Sequence, residues 1–257
     1  MSGMIKPLLQ DIGAAAYQLG YEIYIVGGYV RNKLYAEFYT NTGSLGKDID
    51  LVINTNAIKF THQLQGYLED NHPEHHTFNI IEEFKQFGTI KIEHPDHPGY
   101  TIELASTRTE FYEEPAAFPK VEIINNIQDD LTRRDFTINA LLESINPDKS
   151  KHPFGEIIDY VGGLKDLKSG LIRVFHDDSF LDDPTRIYRA ARFMAEYDFK
   201  IEEHTLKLMR QARAHPDWEL WLQKRKARFT IEQEKIEQLG GERATRAKVF
   251  LFNLGIQ

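Results

Sequence analysis

The segment Lys47-Asp48-Ile49-Asp50-Leu51 sets two carboxylates and two aliphatic side chains in strict alternation. Successive side chains of a β-strand point to opposite faces, so the alternation predicts a strand with an acidic face and an apolar face. Asp48 and Asp50 would share the acidic face, where two like charges repel each other unless a cation lies between them. Carboxylate oxygens suit Mg²⁺, which takes its remaining ligands from water and substrate phosphates.

Glu103 lies in a second segment of this kind, residues 101–104, which also predicts a strand. Two-metal phosphoryl-transfer sites use a pair of carboxylates, and a third carboxylate from a neighbouring strand completes them. Asp48, Asp50 and Glu103 are therefore the candidate catalytic residues, and the two aspartates are the candidate metal ligands. A solvent-exposed strand with surface acids explains the same residues, because an isolated Asp-x-Asp pattern also occurs by chance.

Gly27 and Gly28 separate a predicted strand, residues 21–26, from a predicted helix, residues 29–38. A glycine pair at such a turn lets the backbone approach a phosphate closely, and the helix N-terminus offers free N–H groups. Arg31, one turn into the helix, can add a charge-assisted hydrogen bond. A tight turn alone needs the same glycines. The segment matches neither the G-x-G-x-x-G pattern nor a P-loop, which excludes both of those nucleotide-binding classes.

Hydrophobic periodicity divides the chain into two parts. The predicted strands are 21–26, 49–53, 77–81, 87–92 and 100–106, the predicted helices of the same part are 5–19, 29–38 and 58–69, and the predicted loops are 41–46, 93–99 (a hairpin) and 112–120 (mobile). Helical patterns dominate afterwards, over 137–143, 183–196, 203–214 and 218–236. The sequence predicts an α+β fold: a domain of residues 1–150 with a mixed β-sheet and flanking helices, and an all-α domain of residues 151–257.

Composition narrows the class of protein. The 257 residues include no cysteine, which excludes disulfides, thiolate metal sites and cysteine nucleophiles. No apolar run approaches the roughly 20 residues of a membrane helix, and no basic segment followed by an apolar run marks a secretory signal. We therefore expect a cytoplasmic protein without a membrane partner. Nothing in the sequence indicates the oligomeric state.

Charge is distributed unevenly along the chain. The net charge of −8 argues, taken alone, against a nucleic-acid partner. The stretch 206–229 is nevertheless strongly basic. Its candidate RNA-binding residues are Lys207, Arg210, Lys224, Arg225, Lys226 and Arg228. Phosphate contacts there would make RNA binding salt-sensitive, although a plain solvated helix face has the same composition. Trp218 and Trp221 fit either base stacking or, by their helical spacing, a buried face.

Four motifs follow one another in the chain. They are Gly27-Gly28-x-Val30-Arg31, Asp48-x-Asp50, Arg133-Arg134-Asp135-Phe136-Thr137-Ile138-Asn139-Ala140 and Asp183-Pro184-x-Arg186-x-x-Arg189. In this combination the chain resembles the class II tRNA nucleotidyltransferases (CCA-adding enzymes) and the bacterial poly(A) polymerases, which belong to the DNA polymerase beta-like nucleotidyltransferase superfamily. The resemblance covers residues 21–212. It implies a nucleotidyltransferase head for the first domain and a helical neck with a partial body for the second.

The resemblance also implies roles for individual residues. Asp48 and Asp50 would be the metal-binding catalytic pair. The nucleotide-binding residues would be Gly27, Gly28, Arg31, Arg133, Arg134, Asp135, Asn139, Asp182, Asp183, Arg186, Arg189 and Arg192. Two positions depart from the family pattern. Asn32 stands where the family usually has Asp, which would weaken an ion pair to Arg31, and Asp182 stands where it usually has Glu.

Asp183 and Arg186 carry the implied choice of base. They lie three residues apart on a predicted helix and are therefore neighbours on its surface. An aspartate can accept a hydrogen bond from the exocyclic amine of C or A, and an arginine can donate to a ring nitrogen or carbonyl. Such a pair would select the base without a nucleic-acid template. An N-capped surface helix with an ion pair between the same residues is the alternative.

The implied reaction is attack of an RNA 3′-hydroxyl on the α-phosphate of CTP or ATP with release of pyrophosphate, assisted by two Mg²⁺ ions. The partner would be tRNA or another RNA 3′ end, and the product a completed or repaired CCA end. Residues 112–121 resemble the flexible loop linked to A addition in this family. A poly(A) polymerase or an A-adding-only enzyme remains open within the same chemistry. A catalytically silent RNA-binding module is the alternative from another class.

Overall fold

The computed structural model describes residues 5–40, 46–71 and 78–256. The chain divides into two compact units. Unit 1 comprises Met1–Glu110, Val121–Arg134 and Asn139–Gly163. Unit 2 comprises Phe111–Lys120, Asp135–Ile138 and Leu164–Gln257. The chain therefore enters unit 2 three times. The first two entries are short segments, and the third contains most of the unit.

Unit 1 is built on a mixed β-sheet. Its helices are α1 (Lys6–Gln18), α2 (Gly28–Tyr35), α3 (Ala57–Asn71) and α4 (Ile127–Thr132), and a π-helical segment, Ala36–Thr40, continues α2. Its main strands are β1 (Ile23–Val26), β2 (Asp48–Ile53), β3 (Asn79–Phe84), β4 (Thr89–Glu93), β5 (Thr101–Ser106), β8 (Leu142–Ser144) and β9 (Ile157–Ile158). Two further strands, β6 (Arg108–Phe111) and β7 (Lys120–Ile123), form a separate two-stranded sheet, and Phe111 and Lys120 of these strands belong to unit 2.

The main sheet has the order β3-β4-β5-β2-β1-β8-β9. β2 and β5 pair in parallel, whereas β1 pairs antiparallel with β2 and β4 pairs antiparallel with β5. The register sets Asp50 opposite Val26 on one side and opposite Glu103 on the other. Because residues directly opposite each other on neighbouring strands share a face, Asp50 and Glu103 project from the same side of the sheet. The topology therefore gathers the predicted acids.

The core of unit 1 lies against the apolar face of the sheet. In β2, Ile49 and Leu51 are buried while Asp48 and Asp50 are exposed, which is the alternation that the sequence predicts. Gly13 of α1 makes the packing of that helix possible. A Cβ atom at this position would lie 1.8 Å from the carbonyl oxygen of Ile145, so only glycine allows the helix to come this close.

Unit 2 is mainly helical. Its helices are α5 (Gly163–Lys168, whose first residue belongs to unit 1), α6 (Ser179–Asp182), α7 (Arg186–Tyr197), α8 (Glu203–Arg213), α9 (Trp218–Lys224), α10 (Lys226–Gln238) and α11 (Gly241–Asn253), and two short strands, β10 (Leu171–Ile172) and β11 (Lys200–Ile201), pair in parallel. Trp218 and Trp221 are each 2% exposed, with ring centroids 6.4 Å apart. Both indoles are therefore core residues of this unit and not a surface for base stacking.

The predicted fold class is confirmed: a mixed sheet with flanking helices precedes a helical region. The predicted helix 137–143 is wrong, because only Thr137–Asn139 is helical, as a 3₁₀ turn, and Leu142–Ser144 is a strand. Sheet pairing with β1 overrides the helical pattern there. The predicted helix 218–236 is two helices, which meet at Arg225.

Two predicted loops have different outcomes. Residues 41–45 of the predicted loop 41–46, like Thr77 of the predicted strand 77–81, lie outside the described residues. The loop 112–120 joins β6 to β7, but its middle is packed: Ala116 is buried, and its N–H donates to the carbonyl oxygen of Leu181 at 2.8 Å. Within the described ranges, every helix is too short or too polar to cross a membrane.

Candidate active site

The acidic edge of unit 1 is formed by Asp48, Asp50 and Glu103. β2 and β5 run in parallel, so Asp48 lies opposite Thr101 and Asp50 lies opposite Glu103. The Thr101 hydroxyl donates a hydrogen bond to the Asp48 carboxylate. Lys91 of β4 lies opposite Glu103 and adds a positive charge to the same cross-strand row. The three candidate catalytic carboxylates are therefore brought together on two adjacent strands.

Crowding of these carboxylates changes their acidity. Part of the Asp50 side chain is exposed, but the surrounding protein displaces much of the water from its carboxylate, and this desolvation raises its pKa; the charge of Asp48 raises it further, against the opposing effect of Arg134. Burial also raises the pKa of Glu103, and here the main charge effect comes from Asp50. Asp50 and Glu103 therefore resist ionisation in the protein alone. A bound cation would remove this penalty, since it would stabilise the charged form of each group.

The donor set of the acidic edge fits a hard divalent cation. Asp48 and Asp50 offer carboxylate oxygens, which Mg²⁺ prefers. In the part of the chain that the structure describes, no group of three or more His, Cys, Asp or Glu residues is arranged to hold a metal ion. A Mg²⁺ ion held by Asp48 and Asp50 would take its remaining ligands from substrate phosphates and water, as is common for Mg²⁺. The role of Glu103 stays a prediction.

The glycine turn lies directly beside this edge. Gly27 precedes α2 with φ of 77°, a backbone conformation that favours glycine. Asp50 lies opposite Val26, the residue before the turn, and the Asp50 Oδ2 atom is 3.5 Å from the point where a Cβ of Gly27 would lie. The first N–H groups of α2 therefore start next to the carboxylates. This is the arrangement expected for a triphosphate that bridges a metal ion and a helix N-terminus.

Arg31 is fixed by two amide side chains. It is 7% exposed, and its Nη1 donates to Asn139, which brings together two predicted nucleotide-binding residues that are far apart in the sequence. Its Nε and Nη2 donate to Asn32 Oδ1 at 3.1 and 2.9 Å. Asn32 therefore still orients Arg31, but through a neutral amide in place of the carboxylate that the family pattern has at this position.

Asp130 is a functional candidate that the sequence reasoning missed. It is completely buried, and its carboxylate accepts hydrogen bonds from Arg133 and from Arg134, both within 3.0 Å. It also accepts from the backbone N–H of Arg108 at 3.0 Å. Burial alone would raise the pKa of Asp130, but Arg134 and Arg133 outweigh it and the pKa is lowered. Asp130 lies three residues before Arg133 and four before Arg134, and this helical spacing is the signal in the sequence that could have identified it.

The predicted base-reading residues lie in unit 2. Asp183 follows α6 and Arg186 begins α7, and both side chains are at least 90% buried. Arg186 Nη1 donates to the hydroxyl of Ser179 at 2.6 Å. Asp183 accepts from Thr185 through Oδ1 and from Arg228 through Oδ2. The ion pair of Asp183 is therefore made with Arg228, 45 residues away, and an Asp183–Arg186 bridge is not the observed contact.

Asp182, the residue before this pair, is half-buried. Burial raises its pKa, and the nearby His176 opposes that effect, with Nε2 3.7 Å from Asp182 Oδ2. The substitution of Asp for the Glu of the family pattern therefore leaves a carboxylate at this position, attached by a side chain that is one methylene shorter.

Arg189 and Arg192 are held by a second residue that the sequence reasoning missed, Glu232. Glu232 is 5% exposed and accepts from Arg189 at 2.9 Å and from Arg192 at 3.1 Å. Arg189 also bonds Asp135 through Nε at 2.8 Å, so it bridges two acids. Burial alone would raise the pKa of Glu232, but the arginines outweigh it and the pKa is lowered. No spacing in the sequence connects α7 with α10.

The basic stretch contains two kinds of residue. Lys207, Arg210 and Lys226 are exposed on unit 2. Arg225, in contrast, is 2% exposed, and its Nε donates to the carbonyl oxygen of Ala116 at 2.9 Å. The prediction that Arg225 binds RNA is therefore replaced by a structural role, because its guanidinium is enclosed and bonded to the 112–120 loop. Lys224 is bonded to Glu114 of the same loop at 2.7 Å.

Comparison with known families supports the resemblance. The Poly A polymerase head domain family matches residues 23–173, which is more than half of the chain. The chain belongs to this family. The match begins at β1 and continues past β9, so it includes the glycine turn, the acidic edge and the Arg133–Asn139 motif.

Curated relatives of the chain include A-adding tRNA nucleotidyltransferases and CCA-adding enzymes. An A-adding tRNA nucleotidyltransferase of Geobacter sulfurreducens is 37% identical over 205 residues, which cover 80% of this chain and 21% of the relative. A second A-adding enzyme, from Aquifex aeolicus, is 41% identical over 192 residues, 74% of this chain and 20% of the relative. A CCA-adding enzyme of Ligilactobacillus salivarius is 33% identical over 225 residues, 82% of this chain and 47% of the relative.

Solved structures show the same likeness over a greater length. The Thermotoga maritima CCA-adding enzyme complexed with tRNA superimposes with a TM-score of 0.76 and 32% identity, and the match covers all of this chain and 52% of that one. A CCA-adding enzyme in complex with ATP gives a TM-score of 0.76 at 31% identity. The chain thus spans about half of these structures, and between a fifth and a half of the curated relatives named above.

Proposed function

We propose that the chain is a template-independent RNA nucleotidyltransferase that adds CMP and AMP from CTP and ATP to the 3′ end of tRNA. The observation that carries this proposal is the acidic pair Asp48 and Asp50 beside the glycine turn at Gly27. The proposed organisation is a catalytic head in residues 1–150 and a nucleotide-selecting, RNA-binding neck with a partial body in residues 151–257.

The acidic edge would perform the phosphoryl transfer. Asp48 and Asp50 would hold Mg²⁺, which lowers the proton affinity of the attacking 3′-hydroxyl and neutralises charge on the triphosphate. The raised pKa values of Asp50 and Glu103 support this, because they indicate that the protein alone does not fully stabilise the charged form of these two carboxylates. No side-chain acid or base is required, since positioning and electrostatic stabilisation account for most of the catalysis of phosphoryl transfer.

Triphosphate binding would fall to the glycine turn and to three arginines. The N-terminus of α2 offers N–H groups beside the carboxylates, and Arg31 is immobilised there by Asn139. Arg133 and Arg134 are both held by Asp130. Such fixed donors lose little conformational entropy on binding an anion, so they are suited to orienting the leaving pyrophosphate.

Base selection would fall to Asp183 and Arg186 of unit 2. Both are buried and fixed by neighbouring side chains, so their geometry does not depend on a nucleic-acid template. The exposed Lys207, Arg210 and Lys226 stay the predicted contacts to RNA phosphates. Solved structures of CCA-adding enzymes in complex with tRNA, with CTP and with ATP support both the RNA and the nucleotide substrates.

A second candidate is an enzyme that adds only the terminal A. It is favoured by the relatives from Geobacter sulfurreducens and Aquifex aeolicus, which are described as A-adding and are more similar in sequence than the CCA-adding relative from Ligilactobacillus salivarius. The two candidates share every residue of the acidic edge. They differ only in whether CTP is used.

An extension assay separates these candidates. The protein is incubated with tRNA lacking CCA or with tRNA ending in CC, with each nucleoside triphosphate alone or with CTP and ATP together, with Mg²⁺ or with EDTA. Addition of two C residues followed by one A supports CCA addition, and addition of A to the CC end without any use of CTP supports the second candidate. Long A tails would indicate a poly(A) polymerase. Binding of tRNA without incorporation of any nucleotide would overturn the proposal in favour of a silent RNA-binding module.

A further inference from the structure

The carboxylate of Asp183 is held from both sides in unit 2. Thr185 donates to Oδ1 twice, from its backbone N–H at 3.1 Å and from its hydroxyl at 2.6 Å. Arg228 donates to Oδ2 from Nη1 at 2.8 Å. Thr185 is two residues from Asp183 and is fixed by the chain itself, whereas Arg228 reaches it from α10. These donors restrict rotation of the carboxylate in the absence of a nucleotide.

The number of acceptor positions then limits what Asp183 can bind. A carboxylate has about four lone-pair positions, two on each oxygen. Thr185 fills those of Oδ1, and Arg228 takes one of those of Oδ2. Counting donors among the described residues, one position on Oδ2 is left. That position accepts a single hydrogen, as the exocyclic amine of cytosine or adenine provides, and it repels the carbonyl oxygen that uracil or guanine has in its place.

Arg228 is placed for this contact by its own surroundings. Its neighbour Phe229 is buried, with its ring 5.0 Å from the ring of Tyr188 and 6.3 Å from that of Trp218. The backbone N–H of Arg228 donates to Arg225 at 2.9 Å. The start of α10 is therefore anchored, while the Arg228 side chain itself is 58% exposed and spans from this anchor to Asp183. An arginine there can be changed without opening the core.

We propose that Arg228, predicted from sequence as an RNA contact, is a positioning residue that determines base specificity by fixing Asp183. The inference rests on the proposed function and extends it to a residue outside the four sequence motifs. Loss of Arg228 frees Oδ2, so Asp183 can rotate and accept in other geometries. Discrimination between amine-bearing and keto-bearing bases then weakens, while the phosphoryl-transfer residues of unit 1 are untouched.

The test compares Arg228→Ala and Arg228→Lys with the wild-type chain. The control is Arg246→Ala, which removes an arginine that pairs with Asp198, also in unit 2, and lies outside the proposed site. The kcat/KM value of each nucleoside triphosphate is measured with a tRNA primer, and KM for the tRNA is measured with ATP. We expect Arg228→Ala to lower the preference for ATP over GTP about 10-fold, Arg228→Lys to restore most of it, and Arg246→Ala to leave it unchanged.

Two results would overturn the inference while the proposed function stands. One is a wild-type preference for ATP over GTP that persists in Arg228→Ala. The other is a rise in KM for tRNA, equal for all nucleotides, with the preference unchanged, which would make Arg228 a phosphate contact. Failure of the wild type to incorporate any nucleotide is a different outcome, because it overturns the proposed function and the inference with it. Thermal unfolding of each variant verifies that the fold is retained.

Discussion

The two units treat carboxylates that have lost hydration in opposite ways. In unit 1, Asp50 and Glu103 lie opposite each other and desolvation raises the pKa of both, with a further increase from the charge of Asp48 at Asp50 and from that of Asp50 at Glu103. In unit 2, Glu232 is more deeply enclosed, yet its pKa is lowered, because Arg189 and Arg192 outweigh the effect of burial. The acidic edge carries negative charge that the protein does not fully neutralise and that a bound cation can stabilise. In the arginine network, Arg189 and Arg192 already neutralise Glu232 within the protein.

In the proposed function, this difference separates the region that carries out the chemistry from the region that recognises the nucleotide. A metal-dependent centre gains from carboxylates that the protein leaves undercompensated, since the cation then binds more strongly. A base-selecting surface gains from side chains that are fixed before the substrate arrives, since less conformational freedom is lost on binding. Substitutions in the two regions should therefore separate activity from stability.

Asp50→Asn is expected to have the largest effect. Removing one of the two proposed metal-binding carboxylates would take away several kcal/mol of charge stabilisation, so nucleotide incorporation should fall about 1000-fold. The melting temperature should stay equal or rise, because the raised pKa of Asp50 shows that its charge is unfavourable in the folded protein. Single-turnover incorporation and calorimetry measure the two effects. Asp70→Asn, an exposed acid of α3, is the control, and activity of Asp50→Asn within 10-fold of wild type would refute the metal assignment.

Glu232→Gln should show the reverse pattern. It leaves Arg189 and Arg192 without their shared carboxylate, and breaking such a buried pair lowers the free energy of unfolding by about 2–3 kcal/mol. Chemical denaturation measures the loss, with the exposed Glu234→Gln of the same helix as the control. A change below about 0.5 kcal/mol would show that the network contributes little to the fold.

The same variant gives a pH-dependent prediction. Because the pKa of Glu232 is lowered in the folded protein, its stabilising effect is present above the ordinary glutamate value of about 4.3 and is lost as the pH falls through the lowered pKa. The wild-type free energy of unfolding should therefore decrease with acidification below about pH 4.3 more steeply than that of Glu232→Gln. Parallel curves for the two proteins would contradict the lowered pKa.

Arg225→Ala should have the smallest effect, confined to the 112–120 loop. The substitution removes the hydrogen bonds from the guanidinium to the carbonyl groups of Ala116 and Ala117. Loss of charge-assisted bonds of this kind corresponds to roughly a 10-fold increase in local opening. Limited proteolysis followed by mass spectrometry should therefore detect faster cleavage within the loop. Lys226→Ala, its exposed neighbour, is the control, and equal cleavage of both variants would show that Arg225 does not hold the loop.

Much of unit 1 could be predicted from local sequence. The alternation at Asp48–Ile53 predicts both the strand and the shared face of its acids, and the glycines predict the turn that starts α2. These predictions succeed because strand periodicity and left-handed backbone conformations depend on neighbouring residues only. The helix predicted over 137–143 fails because Leu142–Ser144 pairs with β1, a strand more than a hundred residues earlier.

The charge network of unit 2 could not be predicted in this way. The partners of Arg189 and Asp183 are Glu232 and Arg228, 43 and 45 residues away in the sequence. No periodicity links positions on different helices, since their contact depends on how the helices pack. The basic composition around Arg225 was misleading for the same reason, because composition does not distinguish an exposed cation from one enclosed by a loop.

The threefold entry of the chain into unit 2 has a consequence for biosynthesis. Residues 111–120 leave the ribosome before Leu181 and Arg225, to which Ala116 is bonded in the finished fold. Until those partners are translated, the segment cannot form these hydrogen bonds. The final closure of the loop is therefore a late step, and a ribosome that stalls before α9 would leave it open to proteases.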